Sequence, residues 1–218
     1  MTEPREPTRL MVAVAPGAAA RDRLAAALAA ADIASVVIVA ADGRPLEAAE
    51  IAPLVAASQQ SGAAALIADD ARLARTVKAD GVHIRVSDKA MERYAEAREI
   101  LGARALVGLD AGRSRHDAMS VGEAGADYIG FGIPAFVADR ATARARRREL
   151  VGWWAEIFEL PCVACDVETP EEAEALAAAG ADFILLRLPD LPPGEVADEI
   201  RAFSAAIQRS RTVAEDPS

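Results

Sequence analysis

Three segments of this chain place Ala-Asp directly before an apolar run: Ala79-Asp80-Gly81-Val82-His83-Ile84, Ala126-Asp127-Tyr128-Ile129-Gly130-Phe131 and Ala181-Asp182-Phe183-Ile184-Leu185-Leu186. Each follows an alanine-rich stretch of helical character. Two are preceded by glycine, Gly125 and Gly180, the residue that best ends a helix in the left-handed conformation. A helix that stops, turns tightly and feeds a buried strand, again and again, predicts a βα-repeat protein. The same reading gives strands at Leu10–Ala15, Ser35–Ala40, Ala64–Ala68, Gly81–Ile84, Ala105–Leu109, Asp127–Phe131, Pro161–Cys165 and Asp182–Leu186. Helices are expected between them and after the last, over Ala20–Ala31, Leu46–Ser61, Asp70–Lys78, Lys89–Leu101, Arg115–Ala124, Ala143–Phe158, Pro170–Ala179 and Gly194–Gln208. Eight even alternations predict a single (β/α)8 TIM barrel over residues 9–210, with short flexible tails at Met1–Thr8 and Arg211–Ser218. A doubly wound open sheet is the alternative. In a barrel, function belongs at the strand ends that lead into the next helix.

The chain's 218 residues suit one such domain, and an apolar content of 52% is enough for a sizeable core. Aromatics make up only 4%, so alanine and aliphatic side chains must fill it. A net charge of −10 offers no basic face to nucleic acid or to an anionic membrane. The only lysines, Lys78 and Lys89, fall off the expected strands, which argues against a Schiff-base lysine in the barrel wall. No apolar leader precedes Thr8, and the stretch Leu24–Ala41 is broken by Asp32, so a soluble cytoplasmic protein is expected. Cys162 and Cys165 have CxxC spacing, but residues three apart on a strand point to opposite faces, so a shared metal or a disulfide is not expected.

The series Leu66-Ile67-Ala68-Asp69-Asp70, Ala79-Asp80-Gly81-Val82-His83-Ile84, Asp88, Leu106-Val107-Gly108 and Gly125-Ala126-Asp127-Tyr128-Ile129-Gly130-Phe131-Gly132 resembles the thiamine phosphate synthase family and its TenI-like relatives. The likeness extends through Thr169-Pro170 and Ala178-Ala179-Gly180-Ala181-Asp182 and covers about two-thirds of the chain as pattern. It implies the Mg²⁺-dependent condensation of hydroxymethylpyrimidine diphosphate with thiazole phosphate. It also implies that Asp69 and Asp88 hold the metal against the diphosphate, that Arg140 assists the anion, and that His83, Asp110, Gly130, Gly132 and Asp166 line the substrate. Two carboxylates with phosphate oxygens suit a hard cation. The partner implied is a small, phosphorylated molecule, and a homo-oligomer stays open.

Other positions depart from the family. Its asparagine before the first metal aspartate is Ala68, its Gly-Gln pair is Arg85-Val86, and its basic residues after strand two fall on Ala40 and Asp42. Its serine after strand five is Asp110, and its paired phosphate-binding glycines are Asp166-Val167. A divergent paralogue with the two-phosphate reaction impaired or replaced is therefore expected. Asp42, Asp69, Asp70, Asp88, Asp110 and Asp166 would make an acidic mouth that repels phosphate unless a metal intervenes, or several would simply cap helices. Arg140, Arg144 and Arg147 or Arg148 would share one helix face, either as an anion grip or as a solvated face paired with surface acids. The working histidine of the TenI-like tautomerases falls on Gly112, with His116 nearby. Trp153-Trp154 reads as packing of the sixth helix. Two further functions remain open on this barrel: an isomerase-like or other enzyme for an unphosphorylated or cationic substrate, and a non-catalytic ligand-binding or regulatory protein.

Overall fold

The aspartates of the Ala-Asp repeats act as clamps. Asp80 Oδ2 accepts the backbone N–H of Ala65 at 2.7 Å, Asp127 Oδ2 that of Val107 at 2.7 Å, and Asp182 Oδ2 that of Cys162 at 2.7 Å. Each carboxylate stands just before one strand and binds the first residues of the strand before it. The clamped donors are backbone groups at strand starts, which have no ladder partner of their own on that side. Asp32, before the second strand, does the same work through a side chain, pairing with Arg9 of the first at 3.0 Å.

These contacts belong to a computed structural model that describes residues 6–41, 44–134 and 136–215. The strands are β1 (Arg9–Val14), β2 (Ile33–Ile38), β3 (Ala64–Ala68), β4 (Gly81–Ile84), β5 (Leu106–Asp110), β6 (Tyr128–Phe131), β7 (Cys162–Ala164) and β8 (Phe183–Arg187). The helices are α1 (Ala20–Ala30), α2 (Ala48–Gln60), α3 (Ala71–Val77), α4 (Ala90–Leu101), α5 (Arg115–Glu123), α6 (Arg140–Ile157), α7 (Pro170–Ala178) and α8 (Pro193–Glu215). The strands form a closed parallel barrel in chain order, completed by β1 against β8 with Met11 opposite Leu185. The open-sheet alternative is thereby excluded.

The period-2 alternation of the strands sorts their side chains into two layers. Leu10, Val12 and Val14 join the layer shared with the helices, whereas Met11, Val37, Leu66, Tyr128, Val163, Cys165 and Leu185 fill the interior. Each fully buried aliphatic side chain contributes roughly 1.5–3 kcal/mol relative to exposure. Cys162 packs outward and Cys165 inward, with no disulfide between them, as strand geometry requires. Trp154 is fully buried against Phe131 and Phe158, while Trp153 lies under the Arg115 guanidinium at 4.7 Å.

Several boundaries differ from expectation. Helix α6 starts three residues early because the Asp139 side chain caps it, accepting from Thr142 N at 3.0 Å. Helix α8 continues through the first five residues of the expected C-terminal tail. Strand β5 takes in Asp110, whose register partner is Gly130. Thr169 caps α7 with Pro170 at its first turn, accepting from Glu172 N at 3.2 Å, and the Glu172 side chain accepts the N–H of Glu168. Among the described residues no helix is long and apolar enough to cross a membrane.

Asp127 also accepts from Arg98 at 2.6 Å, so its removal deprives both a strand N–H and a guanidinium of their acceptor. Asp127→Ala is expected to lower unfolding stability by about 2 kcal/mol, read from urea denaturation. Because the clamp lies at the end of the barrel away from the cavity described below, ligand binding there should not change.

Candidate active site at the barrel mouth

A cavity of about 720 Å³ opens at the C-terminal ends of the strands, a size within the roughly 300–1,000 Å³ of small-molecule sites. Asp69, His83, Asp110, Arg140 and Asp166 line it, and so do Arg85, Arg93, Glu168 and Arg187. The sequence reading did not place these last four at the mouth. Asp42 lies outside the described residues. Asp70 caps α3, accepting from Leu73 N at 2.8 Å. Asp88 is exposed in the turn before α4 and does not line the cavity. His116 is exposed on α5. The expected acidic mouth is thus corrected: the lining carboxylates Asp69, Asp110, Asp166 and Glu168 are matched by the guanidinium groups of Arg85, Arg93, Arg140 and Arg187.

The β3–β4 edge is built around Asp69. This residue sits one position past β3 with φ 60°, a left-handed conformation uncommon for a residue with a Cβ. Its N–H bonds the His83 carbonyl at 3.0 Å, which extends the β3–β4 ladder by one rung. Its carboxylate accepts the Arg85 backbone N–H at 2.9 Å and the Arg85 Nε at 2.6 Å, with Arg93 Nη1 at 3.5 Å. The expected metal pair is therefore not assembled. One of its carboxylates is already paired with guanidinium groups and the other lies outside the cavity. The Asp69–Arg85 pair is neutral. An attraction of roughly 8 kcal/mol between a lone carboxylate and a divalent cation about 4 Å away is offset by comparable repulsion from the guanidinium. As arranged, these residues do not fit Mg²⁺.

The β5–β7 side is built from carboxylates. Asp110 Oδ1 accepts the N–H groups of Gly112 at 2.7 Å and Gly132 at 3.0 Å, and Asp166 Oδ2 accepts that of Ile133 at 2.9 Å. Gly132 is what lets the two acids approach each other. A Cβ there would collide with Asp110 Oδ2 and lie 2.9 Å from Asp166 Oδ2. Gly130 is buried in β6 beneath them, next to Asp110 and Cys165, and neither glycine lines the cavity. Burial pushes the Asp110 carboxyl up to about 6, the nearby Asp166 adding to this and the two glycine N–H groups opposing it.

His83, on β4, is buried and shares a 2.8 Å hydrogen bond with the Tyr128 hydroxyl through Nδ1. Burial holds its pKa down to about 4, so at neutral pH it is an uncharged ring in the cavity wall. The α6 arginines divide. Arg140 donates to the Ile133 carbonyl at 3.2 Å and to Glu168 at 2.9 Å. Arg144 pairs with Glu168 and, at 3.2 Å, with Glu172. Arg147 is wholly buried, bonded to the Cys165 carbonyl and to Glu172. Only Arg140 of this face reaches the cavity. The charge run is mostly ion-paired, and Arg147, which the spacing puts on the shared face as anion grip or solvated pair, is instead buried, a rare place for an arginine.

With this geometry in view, likeness to other proteins bears on the fold and its chemistry. The sequence model of the thiamine monophosphate synthase family, TMP-TENI, matches residues 11–189. This chain belongs to that family. A thiamine-phosphate synthase of Erythrobacter litoralis is 43% identical over 141 residues, covering 63% of this chain and 65% of that protein. One of Rhodospirillum centenum is 41% identical over 165 residues, covering 74% of this chain and 77% of that protein. The structure of a thiamine phosphate pyrophosphorylase from Pyrococcus furiosus superposes with a TM-score of 0.73, covering 93% of this chain and 96% of the other at 20% identity, which supports the same barrel. For this family member the arginines at the β3–β4 edge and the carboxylates at β5 and β7 are the features of the mouth that need a chemical account.

The Asp110 shift has a definite sign. A carboxyl whose folded pKa is raised contributes stability below its unfolded pKa, near 4, and that contribution is lost as pH rises through about 6. Asp110→Asn keeps an oxygen acceptor for the glycine N–H groups and removes the titration. Its stability relative to the native chain is expected to rise between about pH 4 and pH 7, by up to about 3 kcal/mol. Urea unfolding of both proteins across that range measures it, and parallel curves would contradict it.

Proposed function

We propose that this chain is a carbon–nitrogen bond-forming transferase of the thiamine phosphate synthase type, taking hydroxymethylpyrimidine diphosphate and a thiazole. The observation that carries this reading is the polarity of the cavity: guanidinium groups at the β3–β4 edge and a carboxylate pair at β5 and β7. Family membership supports the reaction type. The separation of charge supports its direction.

In the proposed reaction the carbon–oxygen bond to the diphosphate breaks and the bonding electrons leave with the diphosphate. The methylene carbon becomes electron-poor, and the lone pair of the thiazole nitrogen closes the new bond. Negative charge thus grows at one end of the pyrimidine substrate and positive charge at the other. Arg85 and Arg93 suit the first end. Asp110 and Asp166 suit the second, and Asp110 is mainly ionised at pH 7.5 with a pKa of about 6. Fixed charges aimed at charges that develop in a transition state lower its energy without reorganisation. His83, uncharged at that pH and hydrogen-bonded to the buried Tyr128, serves as wall. No step needs a proton from the protein.

At β7 the carboxylate of Asp166 stands where the family resemblance implies glycine amides for a phosphate. The thiazole is therefore to be tested with and without its phosphate. Purified protein given the pyrimidine diphosphate and either thiazole is expected to yield thiamine phosphate or thiamine, followed by chromatography. Asp110→Ala is expected to lower kcat/KM about tenfold or more, a loss of at least about 1.4 kcal/mol of transition-state stabilisation. A reduced native rate would bear out the impairment expected from the replaced phosphate positions. No product with either thiazole would sink the transferase reading in favour of a ligand-binding protein on the same barrel.

A further inference from the structure

The mouth holds one arrangement that the family pattern does not supply: an arginine in the strand-end position beside the first metal carboxylate. Arg85 follows β4 directly, as Asp69 follows β3, and the parallel register, with Ala68 opposite His83, brings Arg85 one residue beyond the point opposite Asp69. The contact is doubled, since the backbone N–H of Arg85 holds Asp69 Oδ1 and its Nε holds Asp69 Oδ2. That grip uses one face of the guanidinium. Its two terminal nitrogens have no hydrogen-bond partner among the described residues, and the side chain is 55% exposed at the cavity edge. Arg93, from α4, approaches the same carboxylate at 3.5 Å and is 45% exposed. Two guanidinium groups around one carboxylate leave a net charge of +1 beside the cavity. Asp69 itself is only 15% exposed and so acts as the anchor beneath them.

We propose that Arg85, fixed on Asp69 and seconded by Arg93, is the resident cation of this cavity, and that the site binds a phosphate or diphosphate group without a divalent metal. A guanidinium presents paired N–H donors in a planar fork that matches two oxygens of a phosphate, and it stays charged at any working pH. Its anchor makes it pre-organised: Asp69 removes the freedom that a long exposed side chain would lose on binding. The same anchor withdraws Asp69 from the role of metal ligand. The inference rests on the proposed reading that the ligand carries a phosphate group, but its test does not require turnover.

The test is titration calorimetry of inorganic diphosphate into the full chain, once with EDTA and once with Mg²⁺. Binding in EDTA is expected, and Arg85→Gln is expected to weaken it by about ten- to a hundred-fold. Arg85→Lys, which keeps the charge and loses the fork, should fall between. Matching thermal unfolding of the variants with the native chain guards against a folding defect, which a half-exposed side chain should not cause. Binding seen only with Mg²⁺, or binding in EDTA that is indifferent to Arg85→Gln, would overturn the proposal. Turnover separates it from the functional reading. Metal-free diphosphate binding without product retains the resident cation and removes the transferase, whereas product formation that needs Mg²⁺ does the reverse.

Discussion

A parallel strand has no tight turn to fix its register against its neighbour, and each strand here is joined to the next only through a whole helix. Something at the strand starts must therefore set which residues meet. In this chain it is a carboxylate placed immediately before each even-numbered strand, bonded to the odd-numbered strand before it: Asp80 to Ala65, Asp127 to Val107, Asp182 to Cys162, and Asp32 to the Arg9 side chain. A slip of one residue would break these bonds and turn each interior side chain outward. With few aromatics to lock the interior by shape, the register depends on them all the more.

The clamps also explain the division of labour along the barrel axis. Acidic groups at the strand starts are consumed by backbone donors and hold the fold. Those at the strand ends face the cavity, and they differ from one another by what the next strand supplies. Asp69 meets Arg85 across the β3–β4 ladder and becomes part of a cationic edge. Asp110 and Asp166 meet only backbone N–H groups and each other across Gly132, and so remain an anionic wall. Identical side chains thus acquire opposite uses from register alone.

Much of this was legible in the residues. Alternation of alanine-rich helices with short apolar runs points to the barrel, and the family positions at strand ends put Asp69, Asp110 and Asp166 at the mouth. What escaped was pairing across strands. Arg85 was visible as a departure from the family's Gly-Gln pair, yet its partnership with Asp69 follows only from the register of Ala68 with His83. Opposite charges one residue past the ends of adjacent parallel strands would have been a usable signal. Asp88 was placed at the site by family position, but it lies in a turn that carries it out to solvent. Arg147 was hidden for another reason. Inside a run of arginines nothing in the sequence marks the one that turns inward.

That inward arginine completes the electrostatics of the wall. A buried guanidinium is costly unless paired and hydrogen-bonded, and Arg147 is held by Glu172 and by the Cys165 carbonyl at the end of β7. It fixes the backbone that presents Asp166 and puts a positive charge behind the carboxylate pair, which favours ionised Asp110. Burial still outweighs it, since the carboxyl stays raised to about 6. The wall is therefore negative at neutral pH but only weakly hydrated, and the opposite edge carries its cation on a long side chain anchored by Asp69. A ligand that is itself charge-separated, electron-poor in the ring and anionic at the leaving group, meets both ends at once. In the proposed reaction the same separation widens as the carbon–oxygen bond breaks, so the field that would orient such a ligand would also favour its cleavage.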